Sequence, residues 1–419
     1  MMTAHTNSPR ILVIGTGDTK SDELLFMADV IERAGGSPVM IDVSILGNPP
    51  YEPAYSKHDV AEAAGTTVQA IIDSGDEHSA MALMAEGATA LVRGLSQRGQ
   101  VDGMIALGGS LGTDLALDIA AILPLGVPKF IVSTIAYSHL LPPERIAPDL
   151  MMILWAGGLY GLNPICRSVL SQACGAVVGA AKLVEKPSAE KPLIGMTSLG
   201  SSCLKYMRFL KPELEKRGYD VAIFHATGMG GRAYEAVAAQ KGFVAVFDFC
   251  IQEVTNAESG SVVTSGPDRM ENAGRAGIPQ IIAPGAVDMV DMPAWQNVPE
   301  QFRDRPYHAH NRLIASITVS PEQRRAVARV VAAKLERAAA PVAFILPTGG
   351  VQEWDRNGEP LHEPEALGAF LDEMRGAVSG TITFEEVDAH INAPEFASRA
   401  LAVFDRWVAE GIVVKGNVA

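Results

Sequence analysis

The sequence has 419 residues, 48% of them hydrophobic and 20% charged, and its formal net charge is −14. This length predicts two domains with hydrophobic cores, and no stretch reaches the roughly 20 apolar residues of a membrane span. The negative charge disfavours nucleic acid and anionic membranes as partners, because both need a basic surface, but it allows a small anion held by local backbone N–H groups.

The N-terminal segment MMTAHTNSPR contains no apolar signal core, so export is not expected. The four cysteines form no CxxC pair. Reduced, buried cysteines are typical of the cytoplasm, and we therefore expect a cytoplasmic protein.

The first predicted element is a buried strand at 10–15, which runs directly into the turn GTGDTK. A helix and the strand PVMIDVS follow, and this βαβ order predicts a doubly wound parallel sheet. In the turn, Lys20 can neutralise a phosphate, and Asp18 can order a metal ion or a ribose hydroxyl. The alternative is a structural turn in which Asp18 caps the helix and Lys20 is solvated. The proline-rich segment 47–58 that follows is a loop of a length that often carries function.

Residues 101–124, VDGMIALGGSLGTDLALDIAAILP, predict a strand, a glycine-rich turn and a helix. Glycines let the backbone approach a ligand, and a helix N-terminus offers unpaired N–H groups and a positive dipole end. Ser110 and Thr113 add hydroxyl donors. This turn therefore predicts a phosphate-binding or nucleotide-binding loop.

The same turn also matches G-x-S-x-G, the nucleophile elbow of α/β-hydrolases. Ser110 would then be the nucleophile of a serine hydrolase, with Asp288 and either His308 or His310 as its partners. The sequence has no HGGG-type oxyanion motif. The hydrolase and a purely structural turn are therefore alternatives to the phosphate loop.

Polar side chains follow three predicted strands of the first half. In open α/β sheets, ligands bind outside the carboxyl ends of the strands, at the point where the strand order reverses. The three sets are Thr16, Asp18, Thr19 and Lys20, then Ser110 and Thr113, then Ser133 and Thr134. Their convergence on one edge is stronger support for a ligand site than any single motif.

A charged segment with two prolines at 185–192 reads as a linker, after which the strand and helix pattern starts again. We therefore expect an α/β fold of two Rossmann-like, doubly wound subdomains with mostly parallel sheets, at 1–186 and 187–419. The turn at 195–202 has P-loop glycine spacing but serine in place of lysine, so a Walker A site is rejected and a helix N-terminus open to an anion is kept.

His225, Asp248 and Glu253 lie at or near the ends of two adjacent predicted strands of the second half. A histidine and two carboxylates in such positions predict acid–base catalysis, although a hydrogen-bonded structural histidine is equally consistent with the pattern. His308 and His310 would lie on one side of a strand, but a third metal ligand is missing by spacing.

Five motifs occur in order along the chain: GTGDTK at 15–20, GGSLGT at 108–113, Ser133-Thr134, HATGMGGRA at 225–233 and NAPEFA at 392–397. Together they resemble the family built on the ATP-binding N-terminal domain of a plant tobamovirus-resistance protein, which also has uncharacterised bacterial and fungal members. The resemblance covers about residues 10 to 415.

The resemblance implies two Rossmann-like subdomains, ATP and magnesium binding in the first, and homodimers. The residues it assigns to the nucleotide site are Gly15, Thr16, Asp18, Thr19, Lys20, Gly108, Gly109, Ser110, Gly112, Thr113, Ser133 and Thr134, with Arg93 as a phosphate partner. Asp18 is also the expected metal ligand.

We therefore expect a protein that binds ATP and Mg²⁺, or a related phosphorylated ligand. Phosphoryl or nucleotidyl transfer to a small molecule is the enzyme hypothesis, with His225, Asp248 and Glu253 supplied by the second subdomain. A nucleotide-sensing module without turnover and a serine hydrolase using Ser110 are the competing functions.

Overall fold

A computed structural model of the protein describes residues 8–158, 161–187, 190–380 and 382–418. The N-terminal residues 1–7 and two residues of the predicted linker, 188 and 189, lie outside the described residues. The chain divides into two units, Met1–Pro187 and Ser188–Ala419. None of the described helices combines the length and the apolar character needed to cross a membrane.

The first unit is a five-stranded parallel sheet with helices on both faces. Its strands are β1 (Arg10–Gly15), β2 (Ser37–Asp42), β3 (Gly103–Gly108), β4 (Lys129–Ser133) and β5 (Leu150–Leu154), in the order β2-β1-β3-β4-β5. Its helices are α1 (Ser21–Arg33), α2 (Lys57–Ala63), α3 (Val68–Ile72), α4 (Glu77–Gln97), α5 (Ser110–Ile122) and α6 (Pro164–Leu183).

Both faces of this sheet are buried, which explains the continuous apolar runs of its strands. In β1, Ile11 and Val13 pack with α1 and α6 in one core cluster. Leu12 and Ile14 point to the opposite face, where they join a second cluster with α2, α3, α4 and α5. Successive side chains of a strand alternate in direction, so one apolar run serves two cores.

The second unit contains a six-stranded parallel sheet and a small antiparallel sheet. The parallel strands are β6 (Leu193–Ser198), β7 (Asp220–His225), β8 (Ala245–Asp248), β9 (Gln280–Ile282), β13 (Val342–Pro347) and β14 (Thr383–Val387), in the order β14-β13-β9-β8-β6-β7. The antiparallel strands are β10 (Met289–Pro293), β11 (Tyr307–Ala309) and β12 (Ile314–Thr318), in the order β10-β12-β11.

The described helices of the second unit are α7 (Lys205–Lys216), α8 (Met229–Ala239), α9 (Gln252–Glu258), α10 (Asn272–Arg275), α11 (Pro321–Glu336), α12 (Pro364–Ala377) and α13 (Pro394–Ala409). Three short 3₁₀ helices are also described: Pro143–Arg145 lies in the first unit, and Glu300–Phe302 and Glu353–Asp355 lie in the second. The predicted α/β fold of two Rossmann-like subdomains is therefore confirmed. The antiparallel sheet is an addition that the sequence pattern did not predict.

The strand order reverses beside the first strand of each parallel sheet. In the first unit, β1 lies between β2 and β3, so the reversal falls between β1 and β3. In the second unit, β6 lies between β7 and β8, and the reversal falls between β6 and β8. These two points are where a doubly wound sheet opens a crevice for a ligand.

Gly108, the last residue of β3, is required by packing against its own helix. A Cβ at this position would lie 2.6 Å from the Cα of Gly112 on α5. Gly109 has a φ of −74°, so neither strain nor left-handed geometry demands glycine there. Gly108 thus lets α5 approach β3 closely.

Replacing Gly108 should therefore destabilise the protein. We expect Gly108→Ala to lower the free energy of unfolding by about 1–3 kcal/mol, because the new methyl group meets backbone that cannot rotate away. Gly175→Ala is the matched control. Gly175 lies exposed within α6, and a Cβ at this position would have no other atom within 4 Å. Alanine there should therefore stabilise the helix by about 0.5–1 kcal/mol. Urea unfolding of both variants measures the difference, and equal effects would contradict the packing argument.

Candidate functional site

The turn after β1 is held by hydrogen bonds within the first unit. The backbone N–H of Lys20 donates to the carbonyl of Thr16 at 2.9 Å, and the hydroxyls of Thr16 and Thr19 lie 2.9 Å apart. Thr19 is exposed, whereas Thr16 and Lys20 are half-buried. The turn that begins at Gly15 therefore presents a pair of hydroxyls at the carboxyl edge of the sheet.

Asp18 and Lys20 do not have the roles of the structural alternative. Lys20 occupies the N-cap position of α1, which has no side-chain cap. The carboxylate of Asp18 accepts the N–H of Gly47 at 3.0 Å, so it ties the turn to the proline-rich segment instead of capping the helix. The ammonium of Lys20 lies 5.8 Å from the centroid of the Trp155 ring, in a cation–π contact.

Asp42 is a residue of this site that sequence reasoning missed. It ends β2, is 1% exposed, and its Oδ1 accepts the N–H of Gly17 at 2.9 Å and the N–H of Ser44 at 3.0 Å. The hydroxyl of Ser44 in turn accepts the N–H of Asp18 at 3.1 Å. An acid at the end of the second strand contacts the ribose in many dinucleotide-binding folds, and that position was the available signal. Here the acid already organises the turn.

A cavity of about 490 Å³ lies beside this turn. It is lined by Asp42 and by the proline-rich segment, including Tyr51 and Lys57. Burial, together with the nearby charge of Asp42, raises the pKa of the Tyr51 hydroxyl to about 12, so the phenol stays a neutral donor at neutral pH. A Cβ on Gly17 would lie 2.8 Å from Pro49 and 2.9 Å from the Tyr51 oxygen, so glycine allows the segment to pack on the turn.

The turn after β3 leads directly into α5. Gly109 is the N-cap of this helix and provides no side-chain cap, and Ser110 is its first residue and is exposed. Thr134 lies beside it, because its Oγ1 would be 3.8 Å from a Cβ on Gly109. Ser110 and Thr134 therefore present hydroxyls at the N-terminus of α5.

Thr113 and Ser133 are in the same region and bond to each other. Both are fully buried, and their hydroxyls lie 2.6 Å apart. The Ser133 oxygen also accepts the N–H of Ile135 at 3.1 Å. These two side chains attach α5 to the end of β4, so their role is to position the loop.

The geometry of Ser110 differs from that of a nucleophile elbow. An elbow holds its serine in a sharp, strained turn, whereas Ser110 begins a regular helix and is not among the described residues with a positive φ. Of its nominated partners, Asp288 accepts the amide of Gln352 at 3.0 Å, and His308 stacks on Trp354 with ring centroids 4.0 Å apart. These contacts do not favour the hydrolase alternative.

Arg93 is not brought together with the two turns. It is exposed on α4, and α4 runs from the carboxyl edge of the sheet towards the start of β3. Arg93 lies about 24 Å along the helix from Glu77, the first residue of α4, at a rise of 1.5 Å per residue. This position is near the amino edge of the sheet, away from the carboxyl ends.

In the second unit, Asp248 and Glu253 form a buried ion cluster instead of an acid–base pair. Both are 0% exposed, and both accept hydrogen bonds from the guanidinium of Arg269. The Nη2 of Arg269 lies 2.7 Å from Asp248 Oδ1, and its Nε lies 2.6 Å from Glu253 Oε2. Glu253 also accepts the N–H groups of Gly228 and Gly231. With their oxygens engaged inside the core, these carboxylates are placed to hold the fold together.

Glu235 is the third carboxylate of this cluster, and sequence reasoning did not include it. It is 0% exposed, lies 3.3 Å from Arg269 and accepts the N–H of Asn272 at 3.0 Å. Three buried carboxylates thus share one guanidinium. Burial raises the pKa of the Glu235 carboxyl to about 7, although the charge of Arg269 opposes the shift.

The side chain of His225 has other partners than that cluster. It ends β7, its Nδ1 lies 3.0 Å from the hydroxyl of Thr227, and burial together with the charge of His310 lowers its pKa. Among the described residues, no group of three or more histidine, cysteine, aspartate or glutamate side chains is arranged to hold a metal ion.

The N-terminus of α7 is not the open anion site that the turn at 195–202 predicted. The Oδ1 of Asn392 accepts the N–H groups of Leu204 at 3.3 Å and of Lys205 at 3.1 Å. Its Nδ2 donates to the carbonyl of Ser202 at 2.7 Å. Asn392, the first residue of the NAPEFA motif, therefore caps a helix that precedes it by almost half the chain.

The chain matches two domain models of one family. The N-terminal domain model of the uncharacterised protein family UPF0261 matches residues 9–186, and the C-terminal domain model of that family matches residues 191–408. The chain belongs to the UPF0261 family.

Relatives of this UPF0261 chain occur in bacteria and in a plant. A UPF0261 protein of Brucella melitensis is 99% identical over 418 residues, with 100% of both chains covered. A UPF0261 protein of Clostridium tetani is 35% identical and covers 93% of this chain and 96% of its own. The ToMV resistance protein Tm-1 of Solanum lycopersicum is 29% identical, with 96% of this chain and 56% of the tomato protein covered. The chain thus spans about half of that protein, and the predicted resemblance is confirmed at the family level.

The buried cluster predicts how the stability of this UPF0261 protein depends on pH. The folded protein keeps the proton of Glu235 up to about pH 7, whereas an unfolded chain loses it near pH 4.5, the ordinary pKa of a glutamate. Between these two pH values the folded state therefore binds more protons than the unfolded state. The contribution of Glu235 to stability is fully present at lower pH and is lost as the pH rises through this range. We expect the free energy of unfolding to fall by about 2–3 kcal/mol from this group between pH 5 and 7.5.

Urea unfolding of two Glu→Gln variants at several pH values separates this effect from others. In Glu235→Gln, the free energy of unfolding should fall less steeply with rising pH than in the wild type, whatever the effect of the substitution on the absolute stability. Glu213→Gln is the control, because hydrogen bonds from Lys216 and Arg217 lower the pKa of this carboxyl and it titrates below the window. Identical slopes for the wild type and Glu235→Gln would contradict the assignment.

Proposed function

We propose that the first unit binds a nucleotide through its phosphate groups, as the complex of ATP with Mg²⁺, at the carboxyl edge of its sheet between β1 and β3. One observation carries the proposal. The two helices that begin at this edge beside the strand reversal, α1 and α5, have no side-chain N-cap. Their first N–H groups therefore lack the partner that a capping side chain would provide.

The other helices of the first unit begin differently. Side chains cap α2, α3, α4 and α6, and the capping residues are Ser56, Thr67, Asp76 and Asn163. Among the described α-helices of this unit, N-termini without a side-chain cap are thus confined to the place where a doubly wound sheet binds ligands. Unpaired N–H groups and the positive end of the helix dipole suit a phosphate.

The side chains around the two turns suit the same ligand. Ser110, Thr134 and the hydroxyl pair of Thr16 and Thr19 are donors for phosphate oxygens, and the ammonium of Lys20 adds a positive charge to the first turn. This local positive character matters because the chain as a whole carries a net charge of −14. Gly108, Thr113 and Ser133 position the second turn without contacting the ligand.

Magnesium would enter together with the phosphates. Mg²⁺ at a nucleotide site needs only one or two protein carboxylates, because phosphate oxygens and water complete its shell. Asp18 fits this limited role: one of its oxygens accepts the N–H of Gly47, and the carboxylate is half-buried at the turn. The cavity beside Asp42 and Tyr51 offers about 490 Å³ for the nucleoside.

The proposal is binding and not group transfer. The carboxylates expected to act in transfer, Asp248 and Glu253, are fully buried and held by Arg269. The expectations of homodimers and of a cytoplasmic location stay predictions.

The test is a thermal melt with and without ATP and MgCl₂. A ligand that binds only the folded protein raises the melting temperature, and millimolar ATP with magnesium should do so. Ser110→Ala should weaken ATP binding several-fold, by about 1 kcal/mol, because one donor of several is lost. Ser168→Ala, an exposed serine on α6, is the matched control and should bind as the wild type does. A melting temperature unchanged by ATP and magnesium, or labelling of Ser110 by a fluorophosphonate, would contradict the proposal.

A further inference from the structure

The second unit has a cavity of its own, with a volume of about 470 Å³. It lies at the carboxyl edge of the parallel sheet, beside the turn that follows β6 and the end of β7. The antiparallel sheet and the segment after β13 form its other walls, through Asp291, Ser316 and Trp354. The volume falls within the range of small-molecule sites, and the edge is the one on which such folds bind ligands.

One wall of the cavity carries a buried acceptor. Asp291 on β10 is 2% exposed, and its Oδ1 accepts the hydroxyl of Ser316 on β12 at 2.6 Å. Burial raises the pKa of this carboxyl, against the hydrogen bond of Ser316 and the charge of His310. A carboxylate has about four lone-pair positions, so Asp291 can also accept a hydrogen bond from a ligand.

Another part of the wall carries imidazoles. His225 and His310 both line the cavity, and the Nδ1 of His225 is paired with Thr227. Gly200 keeps the space beside the second nitrogen open: a Cβ there would lie 3.4 Å from the Nε2 of His225, and the φ of +45° disfavours any other residue. An imidazole nitrogen facing this space can exchange a hydrogen bond with a ligand.

Aromatic and apolar side chains form a further part of the lining. Trp354 is half-buried and its ring contacts the tilted ring of His308, while Trp295 is 65% exposed and Leu313 is 73% exposed. Side chains of this size are expensive to leave in water, and here they surround a cavity. Flat aromatic surfaces favour a flat ligand.

The cavity lacks the groups that a phosphorylated ligand needs. Its described lining residues include no lysine or arginine. The nearby Lys205 is paired with Glu353 at 2.7 Å, and Asn392 caps the N-terminus of α7. The local charge comes from Asp291, which would repel an anion. This chemistry differs from that of the turns in the first unit.

We propose that this cavity is a second ligand site, which binds a small, uncharged, planar ring compound carrying a hydrogen-bond donor and an acceptor. The ring lies against Trp354, the donor reaches Asp291, and the acceptor meets the imidazole of His225 or His310. The site consists of residues of the second unit alone.

The experiment uses the full chain and a matched set of probes. Benzamide is planar and uncharged and has both a donor and an acceptor, whereas benzoate and phenyl phosphate are anions and cyclohexanecarboxamide is not planar. Tryptophan fluorescence reports the site, because Trp295 and Trp354 line the cavity while Trp155 and Trp407 are each only 3% exposed. Saturation-transfer NMR of the probes gives a readout that does not depend on tryptophan.

Benzamide should bind saturably with a dissociation constant of about 1 mM, as expected for a molecule of its size. The two anions and cyclohexanecarboxamide should each bind about ten-fold more weakly or not at all, a difference of about 1.4 kcal/mol. Binding that is tighter for phenyl phosphate than for benzamide would overturn the proposal, and so would the absence of any benzamide binding.

Variants then locate the bound probe. Asp291→Asn keeps the side-chain volume, and His310→Ala alters an exposed residue, so both should fold; each should weaken benzamide binding about five-fold. Trp354→Ala should abolish it. His139→Ala, an exposed histidine of the first unit, is the control and should leave binding unchanged. Wild-type affinity for benzamide in Asp291→Asn, His310→Ala and Trp354→Ala would overturn the assignment. A melting temperature unchanged by ATP and magnesium would contradict only the proposal for the first unit.

Discussion

Burial of the parallel strands on both faces is the constraint on which the rest of this structure depends. Every interior residue of β1 and β3 packs into one of two cores, so side chains along the strands cannot serve a ligand. Polar groups are left to the strand ends, where the backbone leaves the sheet. A carboxylate near these ends that still faces the core must be neutralised there, because an unpaired buried charge is costly. Arg269 lies between Asp248 and Glu253, and removing it would cost about 3–5 kcal/mol.

This constraint also explains which structural features could be predicted from the sequence. Strand ends could be recognised from apolar runs that stop at glycine, so the fold and the positions of both turns of the first unit were predictable. The direction in which each polar side chain points was not predictable from the sequence. Thr113 and Ser110 are three residues apart on one helix, yet Thr113 is buried against Ser133 and Ser110 is exposed. The pairing of Asp248 and Glu253 with Arg269 could not be predicted for the same reason, since Arg269 lies 21 and 16 residues further along the chain.

Residues that the sequence analysis missed act over long distances in the chain. Asp42 holds the turn at Gly17 across 25 residues, and Asn392 caps α7 across 187 residues. Neither pairing has a local pattern, because the partners meet only when parallel strands have been set side by side. The antiparallel sheet was missed because its strands, such as Tyr307–Ala309, are as short as three residues and interrupt an otherwise regular alternation. It nevertheless supplies Asp291 and Ser316 to the second cavity.

The two units have the same strand order around the reversal but different chemistry at the edge. In the first unit, α1 and α5 start without side-chain caps, so the backbone itself is the feature that a ligand can use. In the second unit, Asn392 caps α7, and the inserted antiparallel sheet places aromatic and apolar side chains over the corresponding edge. A backbone site favours anions of varied shape, because N–H groups recognise charge. A side-chain site built from Trp354, His310 and Asp291 favours one shape and one hydrogen-bond pattern. The same fold can therefore hold two ligand classes, because the loops and not the strand order determine what binds.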